Sequence, residues 1–465
     1  MNTAATKRLL PLLFLITALP LAAADLRIGA ARVKITPARG TPMAGYYSER
    51  TAAGVHDDLW AKSIVIENGA TSAALVALDI ITTQRKFVQE ARRLIRETAG
   101  IPGENVMISA THAHTGPVIS GASARTAAFG GDQGLAAAYT KALPGLIAES
   151  VRQARAHLAP AKVLAGLGRE DSLSFNRRFH MKDGSVGWNP GRLNLNILHP
   201  AGPIDPTVPV LHFVSHDGQP LALYVNFSMH LDTVGGLEIS ADYPYALANL
   251  LGAVKGKDML TLFTLGTAGD INHINVKWAG QPKGHAEAAR IGTILAGAVL
   301  LTLPGLEEVP DTPLRCLSAT VQLPLPQLKP GDLQRARETA ARRGKEEKEP
   351  AFLEVVDAFK IIDVEERRGQ PHEVEVQVIT LGTGIALVSL PGEIFVELGL
   401  AIKQASPFKY TAIAQLANGS IGYVPTRQAW TQGNYEVVSA RCGAGSGELL
   451  VETASRLLRQ AAARR

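Results

Sequence analysis

The segment Ala110–Pro117 places His112 and His114 two residues apart at the end of an apolar run. Residues two apart on extended backbone project to the same side of the chain. Two imidazoles on one side of a strand end suit a metal ion or an acid/base pair. Two histidines in a surface loop are the alternative, and the spacing alone leaves both interpretations open.

Chemically useful side chains also follow other apolar runs. His230 ends the run Asn226–His230, and Glu393 follows an apolar run and a Pro-Gly pair. Two further runs lead into the polar segments Gly266–Asn275 and Gly419–Tyr423. Loops at strand ends are where α/β proteins assemble sites, although a lone glutamate before a helix is more often a helix cap. Taken together, these strand ends favour one shared polar site.

The segments that must position these residues alternate between short apolar strands and helical patterns. The runs Ile64–Ile66 and Ala73–Ile81 flank an Asn-Gly pair, a turn signal of β-hairpins. Phe87–Ala99 has helical periodicity and is followed by Gly100, a typical C-terminal cap. Because hairpins interrupt the strand–helix rhythm, we predict an α/β fold with a mixed β-sheet core, flanking helices and a site built from loops at strand ends. The other predicted elements are the strands Val106–Ser109, Val208–Val214, Leu221–Phe227, Leu260–Leu265, Val374–Leu381, Ile385–Leu390 and Ala412–Leu416, and the helices Ala286–Leu301, Phe395–Gln404 and Gly447–Ala462.

The composition is that of a globular protein, with 465 residues of which 46% are hydrophobic and 19% charged. The formal charge of +5 is not gathered into a Lys/Arg cluster interleaved with aromatics, which argues against nucleic-acid binding. Cys316 and Cys442 can pair in an oxidising compartment, but their spacing does not show whether they meet. The segment Gln334–Arg368 is rich in both charge signs, as helices with a solvated face commonly are.

The N-terminus, residues 1–24, has the pattern of a secretory signal. Lys7 and Arg8 precede the apolar run Leu9–Leu21, and three alanines precede Asp25. The apolar run is shorter than the ~20 residues that span a bilayer, so a cleaved signal is favoured over a membrane anchor. We therefore expect an exported protein, periplasmic or secreted, with at most peripheral membrane contact and a single domain over residues 25–465.

Beyond these patterns, the sequence resembles the N-terminal catalytic region of the neutral/alkaline non-lysosomal ceramidases, which are zinc-dependent amidases. The resemblance runs from about residue 27 to about residue 440, and the Thr-His-Ala-His-Thr-Gly-Pro element is its most specific part. It implies a hydrolase that acts on a small molecule or a lipid. The matching motifs are Gly45-Tyr46, Gly54–His56, Ala110–Pro117, Asn176-Arg177, Ile204–Pro206, His230, Gly269-Asp270, Leu390–Glu393, Gly422-Tyr423 and Tyr435.

The resemblance implies a Zn²⁺ site. The positions that match the family's zinc ligands keep all four residue types. A tyrosine ligand is chemically reasonable, because a cation lowers the pKa of a phenol from its ordinary value of ~10. The implied zinc ligands are His112, His230, Glu393 and Tyr423.

The resemblance also implies residues that contact the substrate around the scissile bond. These are His114, Arg177 and Tyr435. Arg178 directly follows Arg177, and either arginine is a possible match to the family position.

One departure from the family concerns catalysis. Where the ceramidases have a serine implicated in the reaction, this chain has Asn272, and His273 replaces the following proline. Asparagine is not a nucleophile, but its amide donates and accepts hydrogen bonds, so we expect Asn272 to orient water or substrate. A second departure is that the sequence ends soon after the tyrosine motif, so we expect the family's additional C-terminal β domain to be missing.

These observations predict a zinc-dependent hydrolase that cleaves an N-acyl amide, ceramide-like or from another N-acyl lipid, by attack of a water held by the metal. One alternative is an esterase or deacetylase that acts on another exported substrate. Another is a non-catalytic, zinc-containing relative that binds a lipid or glycan. The sequence does not define the acyl chain, the leaving group or the oligomeric state.

Overall fold

The computed structural model describes residues 26–131, 134–310, 313–343 and 349–463. The predicted signal sequence, residues 1–24, lies outside these described residues. Export of the protein therefore stays a prediction.

The strands are two to eleven residues long. In chain order they are β1 Leu26–Lys34, β2 Gly54–Val55, β3 Trp60–Asn68, β4 Thr71–Leu78, β5 Val106–Ala110, β6 Ala159–Arg169, β7 Phe175–Asn176, β8 Arg178–Met181, β9 Val186–Trp188, β10 Ile197–Pro200, β11 Thr207–Ser215, β12 Pro220–Phe227, β13 Glu238–Ile239, β14 Leu260–Leu265, β15 Ile271–Asn272, β16 Glu307–Glu308, β17 Leu314–Leu323, β18 His372–Leu381, β19 Ile385–Ser389, β20 Glu393–Ile394, β21 Tyr410–Ala414 and β22 Tyr423–Val424.

The helices alternate with these strands over the described residues. They are α1 Arg85–Ala99, α2 Ala124–Thr126, α3 Gly134–Ala156, α4 Tyr243–Lys255, α5 His285–Thr302, α6 Asp332–Arg342, α7 Phe352–Glu365, α8 Val396–Ala405, α9 Arg427–Gln432, α10 Tyr435–Ser439 and α11 Ser446–Ala463.

Two mixed β-sheets form the centre of the molecule. The larger has the strand order β14-β12-β11-β6-β1-β3-β4-β5, with β16 pairing with β6, and the second has the order β17-β18-β19-β21. Most neighbouring strands are antiparallel, but β4 runs parallel to β5, β12 to β14 and β19 to β21. This confirms the prediction of a mixed sheet core with flanking helices.

The sheets and helices stack in four layers. Alternate residues of β3 face opposite sides of the larger sheet, as the two-residue period of a strand requires. Val65 faces helices α1, α3, α4 and α5, whereas Ile64 and Ile66 face the second sheet. The second sheet is covered in turn by α8 and α11. Since both sheets are covered on both faces, their strands have long apolar runs.

The hairpins and helices predicted from the sequence are confirmed with small changes at their ends. Strands β3 and β4 pair antiparallel across the Asn-Gly turn, with Asn68 opposite Thr71. Helix α1 ends at Ala99, and Gly100 has the left-handed conformation, with φ of 62°, that a C-cap glycine favours. Helix α5 with its following turn is apolar and long enough to cross a membrane by composition, but Ile291 and Leu295 are buried in the core.

The charged segment Gln334–Arg368 forms α6 and α7, but α7 is more buried than its charge suggests. Its residues Val355 and Phe359 pack with Phe129 in a small apolar cluster. We name α6 and α7 the helical hairpin, because it covers one side of the candidate site described below.

The two cysteines do not form a disulfide in the structure. Both Cys316 and Cys442 have free thiols. Burial raises the pKa of Cys316 to about 12 and that of Cys442 to about 11, so both thiols are unreactive at neutral pH.

The packing of α3 on β1 depends on a residue without a side chain. A Cβ atom at Gly29 would lie 1.9 Å from the backbone oxygen of Ala154 in α3. We expect Gly29→Ala to lower the free energy of unfolding by about 1–3 kcal/mol through overpacking, measured by denaturant unfolding. Gly145→Ala is the matched control, because a Cβ there meets no atom within 4 Å. It should stabilise α3 by about 0.5–1 kcal/mol. Equal stability of the two variants would contradict this account of the packing.

Candidate functional site

The two sheets bring four strand ends together. His112 follows β5, and His230 follows β12, both in the larger sheet. Glu393 and Tyr423 follow β19 and β21 of the second sheet and begin the short parallel pair β20 and β22, where they lie opposite each other. The site therefore contains residues from the ends of both sheets, as predicted for loops at strand ends.

Three side chains converge on one point. The Nε2 atoms of His112 and His230 are 2.9 Å apart. Glu393 Oε2 lies 3.4 Å from His112 Nε2 and 3.6 Å from His230 Nε2. All three residues are largely buried, so the nitrogen and oxygen atoms face each other with little water between them.

Backbone carbonyls orient both rings. His112 Nδ1 lies 2.6 Å from the carbonyl oxygen of Ile81, and His230 Nδ1 lies 3.0 Å from that of Ala268. A carbonyl only accepts hydrogen bonds, so each Nδ1 carries the proton and each Nε2 presents a lone pair to the shared point. Histidine ligands of metals are commonly held by this kind of outer hydrogen bond.

The backbone at His112 is strained. Its φ of 77° lies in the left-handed region, which residues other than glycine rarely occupy. The amide of His112 donates to the carbonyl oxygen of Ile80 at 2.9 Å, and this bond helps to hold the conformation. Such strain is concentrated at functional sites, where the surrounding structure compensates for it.

The carboxylate of Glu393 has the electrostatics of a cation ligand. Burial raises its pKa, but the charge and hydrogen bonding of His112, Tyr423 and Arg177 outweigh burial and lower that pKa to about 2. Its Oε2 atom is buried and has no hydrogen-bond partner. A buried ionised oxygen beside two imidazole lone pairs is costly unless a cation joins them, so these residues fit a metal ion.

Tyr423 completes the ligand set implied by the resemblance. Burial and the charge of Glu393 raise the pKa of its phenol well above the ordinary value. The guanidinium of Arg177 lies 5.4 Å from the ring centre of Tyr423 and 5.9 Å from that of Tyr435. Of the two adjacent arginines, Arg177 is therefore the one that lies next to both tyrosines, whereas Arg178 lies over the ring of Phe395.

One buried carboxylate holds both arginines. Glu436 accepts from Arg177 Nε at 2.8 Å and from an Arg178 guanidinium nitrogen at 2.9 Å. Glu436 is fully buried and adjoins Tyr435 in α10. This ion-paired group fixes the position of Arg177, and nothing in its sequence spacing indicated Glu436.

His114 lies beside the converging atoms and faces the cavity. The ring nitrogens of His112, His114 and His230 lie within 4.8 Å of one another. Both nitrogens of the buried His114 ring have no hydrogen-bond partner, and Nδ1 is 3.4 Å from Asp232 Oδ1. Burial and the neighbouring His112 lower the pKa of His114 well below its ordinary value, so its ring is neutral at neutral pH. The geometry thus offers His114 as a third ligand or as a substrate contact.

Asn272 is placed differently from the other predicted site residues. Its side-chain amide donates to Asn189 Oδ1 at 2.9 Å and accepts from the backbone amide of Ile274 at 3.0 Å. It is buried and does not line the main cavity. Its hydrogen-bonding groups are therefore engaged in holding the loop.

A cavity of about 740 Å³ opens onto the site. Its walls include His112, His114, Glu393, Tyr423 and Tyr435. Sequence reasoning missed four neighbouring side chains, since none stands in a recognisable motif. They are Tyr47, Arg125, Trp188 and Asp232.

Comparison with known proteins agrees with the resemblance. Residues 26–236 match the family model described as neutral/alkaline non-lysosomal ceramidase, N-terminal. The neutral ceramidase of Pseudomonas aeruginosa is 30% identical over 241 residues, which are 49% of this chain and 34% of that protein. The chain thus spans about a third of the length of this curated relative in the match.

Solved structures agree over a larger part of the chain. The crystal structure of the Pseudomonas aeruginosa neutral ceramidase covers 94% of this chain and 75% of its own, with a TM-score of 0.73 and 22% identity. A ceramidase complexed with C2 gives the same TM-score and identity and is covered over 76% of its length. The predicted resemblance and α/β fold class are confirmed.

The converging atoms predict which side chains retain a metal. We expect chelator-free protein to contain zinc and His112→Ala and Glu393→Gln to lose it, because the first change removes an imidazole nitrogen and the second removes the negative charge beside the shared point. Zinc per chain is measured by elemental analysis. His157→Ala, an exposed and remote histidine, is the control that should leave the content unchanged.

The same measurement on His114→Ala separates the two roles of that residue. Retention of zinc supports His112, His230 and Glu393 as the ligands, with His114 free to contact substrate. Loss of zinc would instead place His114 in the coordination sphere. Full zinc content in His112→Ala and Glu393→Gln would contradict the site.

Proposed function

We propose that this chain is a zinc-dependent hydrolase that cleaves an N-acyl amide, with His112, His230, Glu393 and Tyr423 as the metal ligands. The observation that carries the proposal is the convergence of two imidazole nitrogens and an unpartnered buried carboxylate oxygen within 3.6 Å. The similarity to neutral ceramidases supports an amide as the bond that is cleaved.

The chemistry of these side chains favours zinc over a hard cation. Imidazole nitrogens suit zinc, whereas calcium and magnesium prefer sites made of oxygen atoms. A zinc ion in this site would supply a Lewis acid that polarises the scissile carbonyl and acidifies water. The cavity reaches Glu393 and Tyr423, so the site is accessible to water and substrate, as a hydrolytic site requires and a closed structural site does not.

His114 is suited to move protons during hydrolysis. Its ring is neutral, lines the cavity and has both nitrogens without a hydrogen-bond partner. A neutral imidazole accepts a proton from the attacking water and later delivers it to the leaving nitrogen. The acyl carbon gains the water oxygen, the carbon–nitrogen bond breaks, and the products are a carboxylate and an amine.

Tyr435 and Arg177 are suited to stabilise negative charge on the carbonyl oxygen. Burial and neighbouring Tyr47 raise the pKa of Tyr435, so its phenol keeps a proton to donate at neutral pH. Arg177 lies close to the rings of both Tyr423 and Tyr435 and is fixed by Glu436. Donors that are already in position stabilise a developing oxyanion without reorganisation.

We propose no covalent intermediate at Asn272, which stands at the position of the family's serine. Asn272 has no nucleophilic atom, and its amide is bound to Asn189 and the Ile274 amide. Its role here is to hold the loop that follows the Gly269-Asp270 pair. Direct attack by water is the mechanism that these side chains support.

The proposal is tested with zinc-loaded protein and a panel of N-acyl sphingoid bases, N-acyl amino acids and simple esters. We expect release of fatty acid from one or both amide classes, because the cavity presents a proton carrier and an oxyanion donor beside the metal ligands. Glu393→Gln provides the background rate. Hydrolysis of esters alone would favour the esterase alternative, and no turnover of any compound would favour a non-catalytic binding protein.

We also propose that the protein is exported and acts outside the cytoplasm. The sequence of residues 1–24 supports this through its positive start, short apolar run and alanine-rich end. Cell fractionation and N-terminal sequencing of the mature protein should place it in the periplasm or medium, with Asp25 as the first residue. An intact Met1 on cytoplasmic protein would contradict export.

A further inference from the structure

The wall of the cavity away from the candidate metal ligands is charged, but most of its charges are neutralised in pairs. Arg85 bonds to Glu373 at 2.7 Å, and Arg441 bonds to Asp363 at 2.7 Å. Glu375 is paired with an arginine outside the cavity wall, Arg92, at 2.8 Å. Closely paired charges attract a further ion only weakly, so these side chains do not select a charged substrate.

At the outer rim of the cavity, Glu366 and Arg367 are adjacent in sequence and carry opposite charges. The guanidinium of Arg367 donates to the carbonyl oxygens of Gln370 and Pro371 at 3.0 and 2.6 Å. Glu366 directly precedes it in sequence and is exposed to solvent. The rim therefore also contributes little net charge.

Arg125 differs from these residues. Its side chain lines the same cavity, and its guanidinium lies 4.8 Å from the ring centre of Tyr47. Among the described residues, it forms no ion pair with a carboxylate. The guanidinium hydrogen-bonds to the side chain of Tyr47. Its remaining donors lie at the edge of the guanidinium plane, where a carboxylate binds in a bidentate manner.

The backbone around Arg125 is fixed. Ser123 caps the short helix α2 by accepting from the amide of Thr126 at 3.1 Å. The amide of Ala124 donates to Asp363 Oδ1 at 2.6 Å, and Asp363 is also bound by Arg441. Arg125 is therefore held next to the helical hairpin, which reduces the entropy cost of binding an anion there.

A row of aromatic rings joins Arg125 to the candidate active site. Tyr47 packs against Phe352 with ring centres 5.4 Å apart, and Phe352 stacks on Tyr435 at 5.7 Å. Tyr435 in turn lies 5.5 Å from Tyr423. Along this row, two aromatic residues, Tyr47 and Phe352, separate the cation of Arg125 from the proposed oxyanion donor Tyr435.

We propose that Arg125 binds a carboxylate on the amine portion of the substrate, so that the preferred substrates are N-acyl amino acids rather than uncharged N-acyl sphingoid bases. This inference rests on the proposed amide hydrolysis at the same site. Met43, Val118 and Ile119 are apolar side chains that line the cavity and suit a short acyl group. The paired charges on the far wall are unfavourable neighbours for two long alkyl chains, because burying charged groups against hydrocarbon removes their water.

The experiment compares two substrates of nearly the same shape, one with a carboxylate and one with a neutral carboxamide. N-octanoyl-phenylalanine has a carboxylate, and N-octanoyl-phenylalaninamide has the same shape without the charge. Release of octanoate is followed for both with the zinc-loaded full chain. We expect the carboxylate form to have a kcat/KM about 10- to 100-fold higher, the range expected for a charge-assisted, partly desolvated contact.

Variants of Arg125 test whether this side chain is the cause. Arg125→Gln should lower kcat/KM for the carboxylate substrate about 10- to 100-fold, mainly through KM, and change it less than about threefold for the amide form. Arg125→Lys keeps the charge and should recover part of the loss. Arg337→Gln makes the same change on the exposed face of α6 and is the matched control. Activity on the uncharged amide shows that each variant is folded.

The outcomes separate this inference from the proposed function. Equal kcat/KM for N-octanoyl-phenylalanine and N-octanoyl-phenylalaninamide would overturn carboxylate recognition while leaving amide hydrolysis in place. An equal fall in kcat/KM for the two substrates in Arg125→Gln would do the same. Faster turnover of an N-acyl sphingoid base than of the carboxylate substrate would overturn it as well. Absence of octanoate release from every substrate would instead reject the proposed function.

Discussion

The buried contact between His112, His230 and Glu393 is the constraint on which the rest of the site depends. Each imidazole is fixed by a backbone carbonyl so that its lone pair faces the other ring at 2.9 Å, and an ionised carboxylate oxygen is buried beside them. Lone pairs and a negative charge at this distance repel each other in a medium from which water is largely excluded. The arrangement is stable only if a cation compensates for it or if the surrounding structure bears the cost. The left-handed backbone at His112 is a further cost that the surrounding structure must offset.

The architecture explains how four distant segments reach one point. The larger sheet contributes His112 and His230, and the second sheet contributes Glu393 and Tyr423. The apolar layer between the two sheets therefore sets the distances within the site. Hydrolysis of an amide requires positions accurate to a fraction of an ångström, and a close-packed layer supplies that rigidity.

Much of this arrangement was predictable from the sequence, because it depends on residues that lie close together in the chain. The hairpin turns, the cap at Gly100 and the strand ends before His112 and His230 depend on nearby residues, so short patterns indicate them. The assignment of Glu393 and Tyr423 as proposed ligands needed the family resemblance, because a lone glutamate and a lone tyrosine have no distinctive spacing. Arg125 and Glu436 were not predictable in either way. Their roles depend on contacts with Tyr47 and Arg177 that are far apart in sequence and arise only when the chain has folded.

The helical hairpin has a consequence for how such a protein can diversify. It supplies Asp363 to one wall of the cavity and stacks Phe352 on Tyr435, yet it belongs to neither sheet and carries none of the converging atoms. Mutations that lengthen, shorten or recharge this segment can therefore change which molecule enters while the catalytic framework keeps its geometry. A lineage with this layout can acquire new substrates by altering one peripheral segment, and two relatives with the same candidate metal ligands need not share a metabolic role.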